Sequence, residues 1–217
     1  RRPATARLSD GPQNMADAVA LARDAQARGV LLAVAGQVHA ADAVQKIHPY
    51  QLAAFSSGDA GPLAYVEEGR VRWLRLPPAW LQADAQTGAA LWQALHNVPP
   101  AQWPWVEVLH SHAGADARAL HALVQAGVQG VVLAATGNAT LHSDLEKAAQ
   151  QLTSQGVAVV QAPRCSASAV VRSADSVDLV PLAWHVRHGG NEADGHEQAV
   201  VLPVSKARVQ LLLRLLA

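Results

Sequence analysis

Three polar side chains follow directly on a short apolar run, and their types and spacing suit the binding of a small ligand. The run is Gly130–Ala135, and Thr136, Asn138 and Thr140 come after it in the stretch GVVLAATGNAT. Hydroxyl and amide groups can donate and accept hydrogen bonds, so they can orient a polar substrate. The stretch lacks the lysine and glycine spacing of a phosphate-binding P-loop. Because glycine and asparagine are ordinary turn residues, a tight turn without a ligand stays open as the alternative.

Lysine, histidine and cysteine side chains give weaker signals of chemistry. Lys46 is an isolated lysine in a polar stretch, and such a side chain becomes catalytic only if its surroundings lower its pKa. His185, His188 and His196 share a short region, but their spacing matches no dedicated zinc site, so no metal is expected. The sequence gives no sign that Cys165 is a reactive thiolate, so we expect no cysteine nucleophile there.

The composition is that of a globular chain with a sizeable core. Half of the 217 residues are hydrophobic and the formal net charge is zero. Without a basic stripe, neither nucleic acid nor an anionic membrane surface is an expected partner. No apolar run approaches the roughly 20 residues that span a bilayer, and the opening RRPATARLSD lacks the apolar segment of a signal peptide. One cysteine allows no internal disulfide, which fits a cytoplasmic location and leaves a periplasmic one open.

The second half of the chain predicts alternating strands and helices. Strands are expected at 106–109, 130–135 and 157–160, and helices at 116–125 and 145–155. Ser143 or Asp144 is the expected cap of the second of these helices. A final helix opens near residue 204, with an apolar stripe of Val209, Leu212, Leu213 and Leu216. In open α/β sheets ligands bind beyond the carboxyl ends of the strands, which is where Asn138 and Thr140 would lie.

The first half gives a less regular pattern. A helix is expected over 14–28, with Met15, Val19 and Ala22 on one apolar face, and Gly29 as its stop. A buried strand follows at 30–34, and residues 36–55 are predicted to be a polar loop. Two further strands, at 62–68 and 71–76, would be joined by a hairpin turn at 68–70.

A proline-rich stretch separates the two halves. Residues 77–104 contain five prolines, a composition typical of a linker, with room for a short helix at 88–96. We therefore expect a first domain over 1–77, an interdomain linker over 78–104 and a second domain over 105–217.

Five segments, in the same order along the chain, resemble those of the bacterial L-asparaginases. The first segment, residues 1–22, reads RRPATARLSDGPQNMADAVALA and is similar to the family's M-R-P-x-x-x-x-S-x-D-G-P-x-N-x-x-x-A. The second segment, residues 29–66, reads GVLLAVAGQVHAADAVQKIHPYQLAAFSSGDAGPLAYV. It is similar to the family's G-V-L-V-V, followed by a lysine-bearing loop and G-P-L-(G/A)-Y. GVVLAATGNATLHSDL resembles G-(I/V)-V-x-A-G-x-G-N-G-N. GVAVVQAPRCSAS and LPVSKARVQLLLRLL resemble the segments that close the family's sequence. Together these matches cover nearly the whole chain.

The resemblance implies an α/β, asparaginase-type two-domain fold with mostly parallel sheets flanked by helices. It implies an amidohydrolase that converts L-asparagine to L-aspartate and ammonia through a threonine nucleophile, without cofactor or metal. Lys46 matches the lysine that acts with a second threonine, so it is the candidate catalytic residue. Asn138 matches a substrate-binding asparagine, and Thr140 stands where a second asparagine is common. That second residue, by resemblance, reaches across the interface of a homodimer or homotetramer toward the amino-acid amide substrate.

This sequence also departs from the family's pattern. The threonine-bearing motifs T-G-G-T-I and D-G-T-D-T do not occur in it, so the nucleophile is expected outside this chain, and the chain alone is expected to be inactive. Ala135 and Ala139 replace glycines, and the stretch at 185–198 is longer than usual. Three alternatives stay open: a glutaminase, the asparaginase-like subunit of a tRNA amidotransferase, and a non-catalytic binding or scaffold protein with the same fold.

Overall fold

The structure, a computed structural model, separates into two compact units, Arg1–Ala83 and Asp84–Ala217. It describes residues 2–77, 85–165, 170–172, 186–187, 197–200 and 202–216. Each unit is a mixture of helices and strands, and each is described by itself.

The first unit is built around an antiparallel sheet. Its strands are β1 (Leu31–Val34), β2 (Gln37–Ala40), β5 (Ala64–Glu67) and β6 (Arg70–Trp73), in the order β1-β2-β5-β6. A separate two-stranded hairpin consists of β3 (Gln45–Lys46) and β4 (Phe55–Ser56), and helix α1 (Gly11–Ala22) precedes the sheet. The predicted hairpin at 62–76 is confirmed, since β5 and β6 pair through a turn in which Glu68 and Gly69 have positive φ.

Helix α1 differs from the prediction in its length and in the face it buries. It ends at Ala22 because the Asp24 carboxylate accepts a hydrogen bond from the Gln26 amide, a local turn that competes with helix. Its buried residues are Asp17 and Leu21. The expected inner face is exposed instead, with Met15 at 72% and Val19 at 59% of full exposure.

The prediction of a polar loop over residues 36–55 was wrong. Ala35 and Gly36 both have positive φ, the backbone of the tight turns that join twisted antiparallel strands. The chain therefore reverses at once into β2, which pairs with β1 along its whole length. Val38 and His39 of β2 are buried, and β3 and β4 occupy more of the same stretch.

The second unit carries the parallel sheet that the sequence predicts. Its helices are α2 (Ala85–Asn97), α3 (Arg118–Gln125), α4 (Ser143–Ser154) and α5 (Val204–Leu216). The strands β7 (Val106–His110), β8 (Gly130–Ala135) and β9 (Ala158–Pro163) are parallel in the order β7-β8-β9. A smaller antiparallel sheet contains β10 (Val170–Arg172), β11 (Val186–Arg187) and β12 (Glu197–Val200).

Helices cover both faces of the parallel sheet. Alternate residues of a strand point to opposite faces. Val131 and Leu133 of β8 accordingly pack with Leu120 of α3 and Leu145 of α4, whereas Val132 belongs to a cluster on the other face with residues of α5. All six residues of β8 are buried, as a central parallel strand requires. The predicted α/β class, with a parallel sheet flanked by helices, is confirmed.

The last helix buries a different stripe from the one predicted. Ala207 and Leu211 are its buried residues, whereas Val209 is 51% exposed. The helix lies close to β8 at Gly130: a Cβ there would be only 3.0 Å from Leu211 Cδ2. The absence of a side chain at Gly130 leaves room for Leu211 to pack against the strand. Among the described residues, no helix has the length and apolarity needed to cross a bilayer.

Candidate active site

The candidate catalytic lysine lies on the short β3–β4 hairpin of the first unit. Lys46 pairs in register with Phe55, and the Ile47 amide donates to the Ala54 carbonyl at 2.8 Å. Ala54 is fully buried and Lys46 is exposed. Within the described residues of this unit, the hairpin therefore presents Lys46 to solvent.

A buried histidine–serine pair stands beside this hairpin and was missed in the sequence. His39 Nδ1 lies 3.0 Å from Ser57 Oγ, and the two residues are only 2% and 5% exposed. Burial of the imidazole lowers its pKa below the ordinary histidine value, so His39 is neutral near pH 7. The only signal in the sequence was a histidine within the stretch that forms β2, and the prediction of a loop there concealed it.

Asn138 and Thr140 lie on a closed loop at the carboxyl end of β8, the position that the sequence predicts. The Thr136 and Thr140 backbones exchange hydrogen bonds of 2.9 and 2.8 Å, and Thr136 Oγ1 donates to the Thr140 carbonyl at 3.0 Å. Gly137, Asn138 and Thr140 are exposed. The loop therefore presents its polar groups on a backbone that its own hydrogen bonds hold in one shape.

The two alanines that replace family glycines have different backbones. Ala135 is a fully buried residue of β8 with ordinary strand geometry. Ala139 has φ of +58°, in the left-handed region that a side chain disfavours, so its backbone is strained. The residue is only 7% exposed and packs in the cluster shared by β8, α3 and α4. The buried methyl group offsets part of the cost of the strained backbone.

Ser111 ties this loop to the neighbouring strand. It follows β7, its amide donates to the Ala134 carbonyl, and its Oγ accepts from the His142 amide at 3.0 Å. Ser111 is 2% exposed. His142, with extended backbone, is the N-cap of α4, and its Nδ1 accepts from the Asp144 amide at 3.4 Å. The prediction that Ser143 or Asp144 caps this helix was therefore wrong, because the helix begins one residue after the histidine that Ser111 holds.

The D-G-P-x-N segment, residues 10–14, forms hydrogen bonds that stabilise the first unit. Asp10 accepts a hydrogen bond from the Arg2 amide, which holds the pKa of its carboxyl below the ordinary value, and a second from the Asn14 amide group. Asn14 Oδ1 in turn accepts from the Ala35 amide at 2.9 Å, at the positive-φ turn between β1 and β2. A cleft of about 390 Å³ borders these residues but is not lined by Lys46.

The described residues add no support for a cysteine nucleophile or a metal site. Cys165 is exposed. Within the described part of the chain, no group of three or more histidine, cysteine, aspartate or glutamate residues could hold a metal ion. His185, His188 and His196 lie outside the described residues.

Comparisons with known proteins agree with the family resemblance that the sequence segments indicate. The family model "Asparaginase, N-terminal" matches residues 1–79, and the model "Glutaminase/Asparaginase C-terminal domain" matches residues 105–216. A glutaminase-asparaginase of Pseudomonas fluorescens biotype A is 32% identical over 203 residues, which cover 92% of this chain and 53% of that protein. L-asparaginase 2 of Escherichia coli (strain K12) is 30% identical over 179 residues, or 82% of this chain and 49% of that protein.

A solved structure shares the fold. The crystal structure of a probable cytoplasmic L-asparaginase from Campylobacter jejuni matches with a TM-score of 0.74 and 29% identity, over 99% of this chain and 62% of that one. This chain spans about half the length of the curated relatives that it matches. Since the second family model alone covers more than half of the 217 residues, and the first matches the N-terminal part in the expected order, the chain belongs to the asparaginase/glutaminase family.

Proposed function

We propose that the whole protein is an L-asparaginase-type amidohydrolase, which cleaves the side-chain amide of asparagine to aspartate and ammonia. The observation that carries this proposal is the match of both family models, in order, together with relatives whose names describe asparaginase or glutaminase-asparaginase activity. No cofactor or metal takes part in the proposed reaction.

The chemistry follows the covalent route open to a threonine hydroxyl. The hydroxyl oxygen attacks the amide carbon, ammonia leaves, and water then cleaves the acyl-enzyme ester to release aspartate. We place this threonine on a segment outside the 217 residues, because neither threonine-bearing motif occurs in them. Lys46 would take up and return the proton of a second threonine that activates the attack. That role requires other parts of the protein to lie against Lys46, which is exposed within the first unit.

The loop at the end of β8 would hold the substrate. Asn138 offers both a donor and an acceptor, and Thr140 offers a hydroxyl, which together suit the charged and amide groups of an amino-acid amide. The hydrogen bonds between Thr136 and Thr140 support this assignment, because a loop that is already ordered loses little entropy when a ligand binds.

The assembly we infer is a homodimer or homotetramer in which this loop serves a neighbouring copy. Residues 1–77 would belong to the N-terminal domain, 78–104 to a linker and 105–217 to the C-terminal domain. The proposed location is cytoplasmic, in keeping with the name of the Campylobacter jejuni protein, whereas the name of a Haemophilus influenzae relative describes a periplasmic enzyme.

Glutamine hydrolysis is a second candidate, because the name of the Pseudomonas fluorescens relative includes both activities. The experiment is to measure ammonia release by the whole protein from asparagine and from glutamine, over a range of concentrations. A value of kcat/KM that is higher for asparagine supports the proposal. A preference for glutamine would support the second candidate, and no release from either amide would contradict both.

A further inference from the structure

The β3–β4 hairpin that carries Lys46 is too small to be stable by itself. Each strand has two residues, and the hairpin pairs with no other described strand. Isolated two-stranded hairpins are marginally stable in water even when they are longer. Some contact with the rest of the unit must therefore fix the hairpin.

The His39–Ser57 hydrogen bond is such a contact. His39 belongs to β2 of the four-stranded sheet, and Ser57 follows directly on β4. The bond of 3.0 Å therefore joins the sheet to the hairpin across 18 residues of sequence. Its two partners are almost fully buried, so its loss would leave a polar group without water or protein to bond it.

The bond to Ser57 is the interaction that accounts for a polar residue at position 39. Its Nε2 is buried and makes no hydrogen bond within the described part of the chain. Buried polar groups are usually satisfied, so an imidazole with one unsatisfied nitrogen is a costly way to fill this space. An apolar residue of similar size would fill it better. What the histidine adds is the bond to Ser57.

We propose that His39 and Ser57 form a buried positioning pair that fixes the β3–β4 hairpin, and with it Lys46, to the sheet of the first unit. The pair touches no reacting atom. Its functional consequence rests on the proposed role of Lys46, because a proton-transfer group must stay within hydrogen-bond reach of its partner.

Amide hydrogen exchange in the whole protein tests the pair with a readout that does not depend on activity. The Ile47 amide reports on the hairpin through its bond to Ala54, and the Leu63 amide reports on the sheet through its bond to Val38. In Ser57→Ala, exchange at Ile47 should accelerate by about tenfold or more while Leu63 changes little. Ser57→Thr keeps a hydroxyl and should restore slow exchange at Ile47.

The neighbouring serine supplies the matched control. Within the described part of the chain, Ser56 Oγ accepts a hydrogen bond from the nearby Gly58 amide and no other, so Ser56→Ala should leave Ile47 protected. The combination of His39→Phe with Ser57→Ala should add little to the effect of Ser57→Ala alone, since both changes remove one bond. If the histidine variant does not fold, Ser57→Ala, Ser57→Thr and Ser56→Ala still decide the matter.

Unchanged exchange at Ile47 in Ser57→Ala, or equal acceleration at Ile47 and Leu63, would overturn the proposal. Activity of the whole protein then tests the functional step separately. In Ser57→Ala, kcat for asparagine should fall several-fold, in parallel with the loosened hairpin, with KM nearly constant. Faster exchange with unchanged kcat would support the positioning pair and contradict the role of Lys46 in the proposed function.

Discussion

At the scale of single residues, Ala139 and Ala135 make a matched pair of buried alanines with different backbones. Ala139→Gly removes left-handed strain of about 1–2 kcal/mol but also removes a buried methyl group worth about 0.8 kcal/mol. Glycine further adds unfolded-state entropy worth about 0.4–1 kcal/mol, so this variant should stay within about 1 kcal/mol of the parent stability. Ala135→Gly has no strain to relieve and should lose about 1.5 kcal/mol. Urea unfolding of the two variants measures the contrast, which equal losses would contradict.

Lys46 is the residue on which the proposed chemistry depends most. In the whole protein, Lys46→Ala should lower kcat for asparagine by about 10²-fold or more, as expected for a lost proton-transfer group. Lys46→Arg should not restore it, because a guanidinium group stays protonated and has a different shape. Ile47→Ala is the control, since Ile47 is next in sequence and 59% exposed. Retention of most activity by Lys46→Ala would show that the lysine is wrongly assigned.

At the scale of elements, the sequence predicted best where one physical effect decides the structure. Strand β8 was predicted at its observed bounds because a parallel strand buried on both faces must be continuously apolar. The β5–β6 hairpin was found because its turn residues are characteristic. For helix α1, both the predicted end and the predicted buried face were wrong. A side-chain hydrogen bond of Asp24 ends the helix early, and the contacts of the unit bury Asp17 in place of Met15.

In the candidate site, too, the sequence predicted some residues and missed others. Lys46, Asn138 and Thr140 were singled out because each falls on a segment with a recognisable pattern. His39, Ser57 and Ser111 were not, because their importance comes from partners distant in sequence: 18 residues separate the first two, and 31 separate Ser111 from His142. A pattern of spacing along one element cannot reveal such a pair.

Packing between α5 and β8 gives a prediction at this scale. A Cβ at Gly130 would lie 3.0 Å from Leu211 and Leu215 and 3.2 Å from Val106. Gly130→Ala should therefore destabilise the chain by about 1–3 kcal/mol through overpacking. Gly88 lies within helix α2, and among the described residues no atom outside the backbone of that helix comes within 4 Å of the position its Cβ would take, so Gly88→Ala should stabilise by up to about 1 kcal/mol. Thermal unfolding compares the two, and a tolerated Gly130→Ala would show that α5 can move away from the sheet.

At the scale of the whole molecule, activity should depend on more than the 217 residues. Purified alone, this chain should release no ammonia from asparagine above the uncatalysed rate, because the proposed nucleophile lies outside it. The whole protein serves as the positive control. Turnover by the chain alone would require a nucleophile within it and would contradict the assignment of the nucleophile to another segment.

The proposed active site joins Lys46 of one copy to the Asn138 loop of another, so the most direct test mixes two inactive variants. In a two-fold dimer of Lys46→Ala with Asn138→Asp, one site carries both changes and the other carries neither. After subunit exchange at equal amounts, half of the dimers should be mixed and active at one site of two, giving about a quarter of the parent activity. Ammonia release from asparagine is the measurement. Recovery to about that level is the predicted result, and a mixture that forms mixed dimers yet stays as inactive as its two components would contradict the shared site.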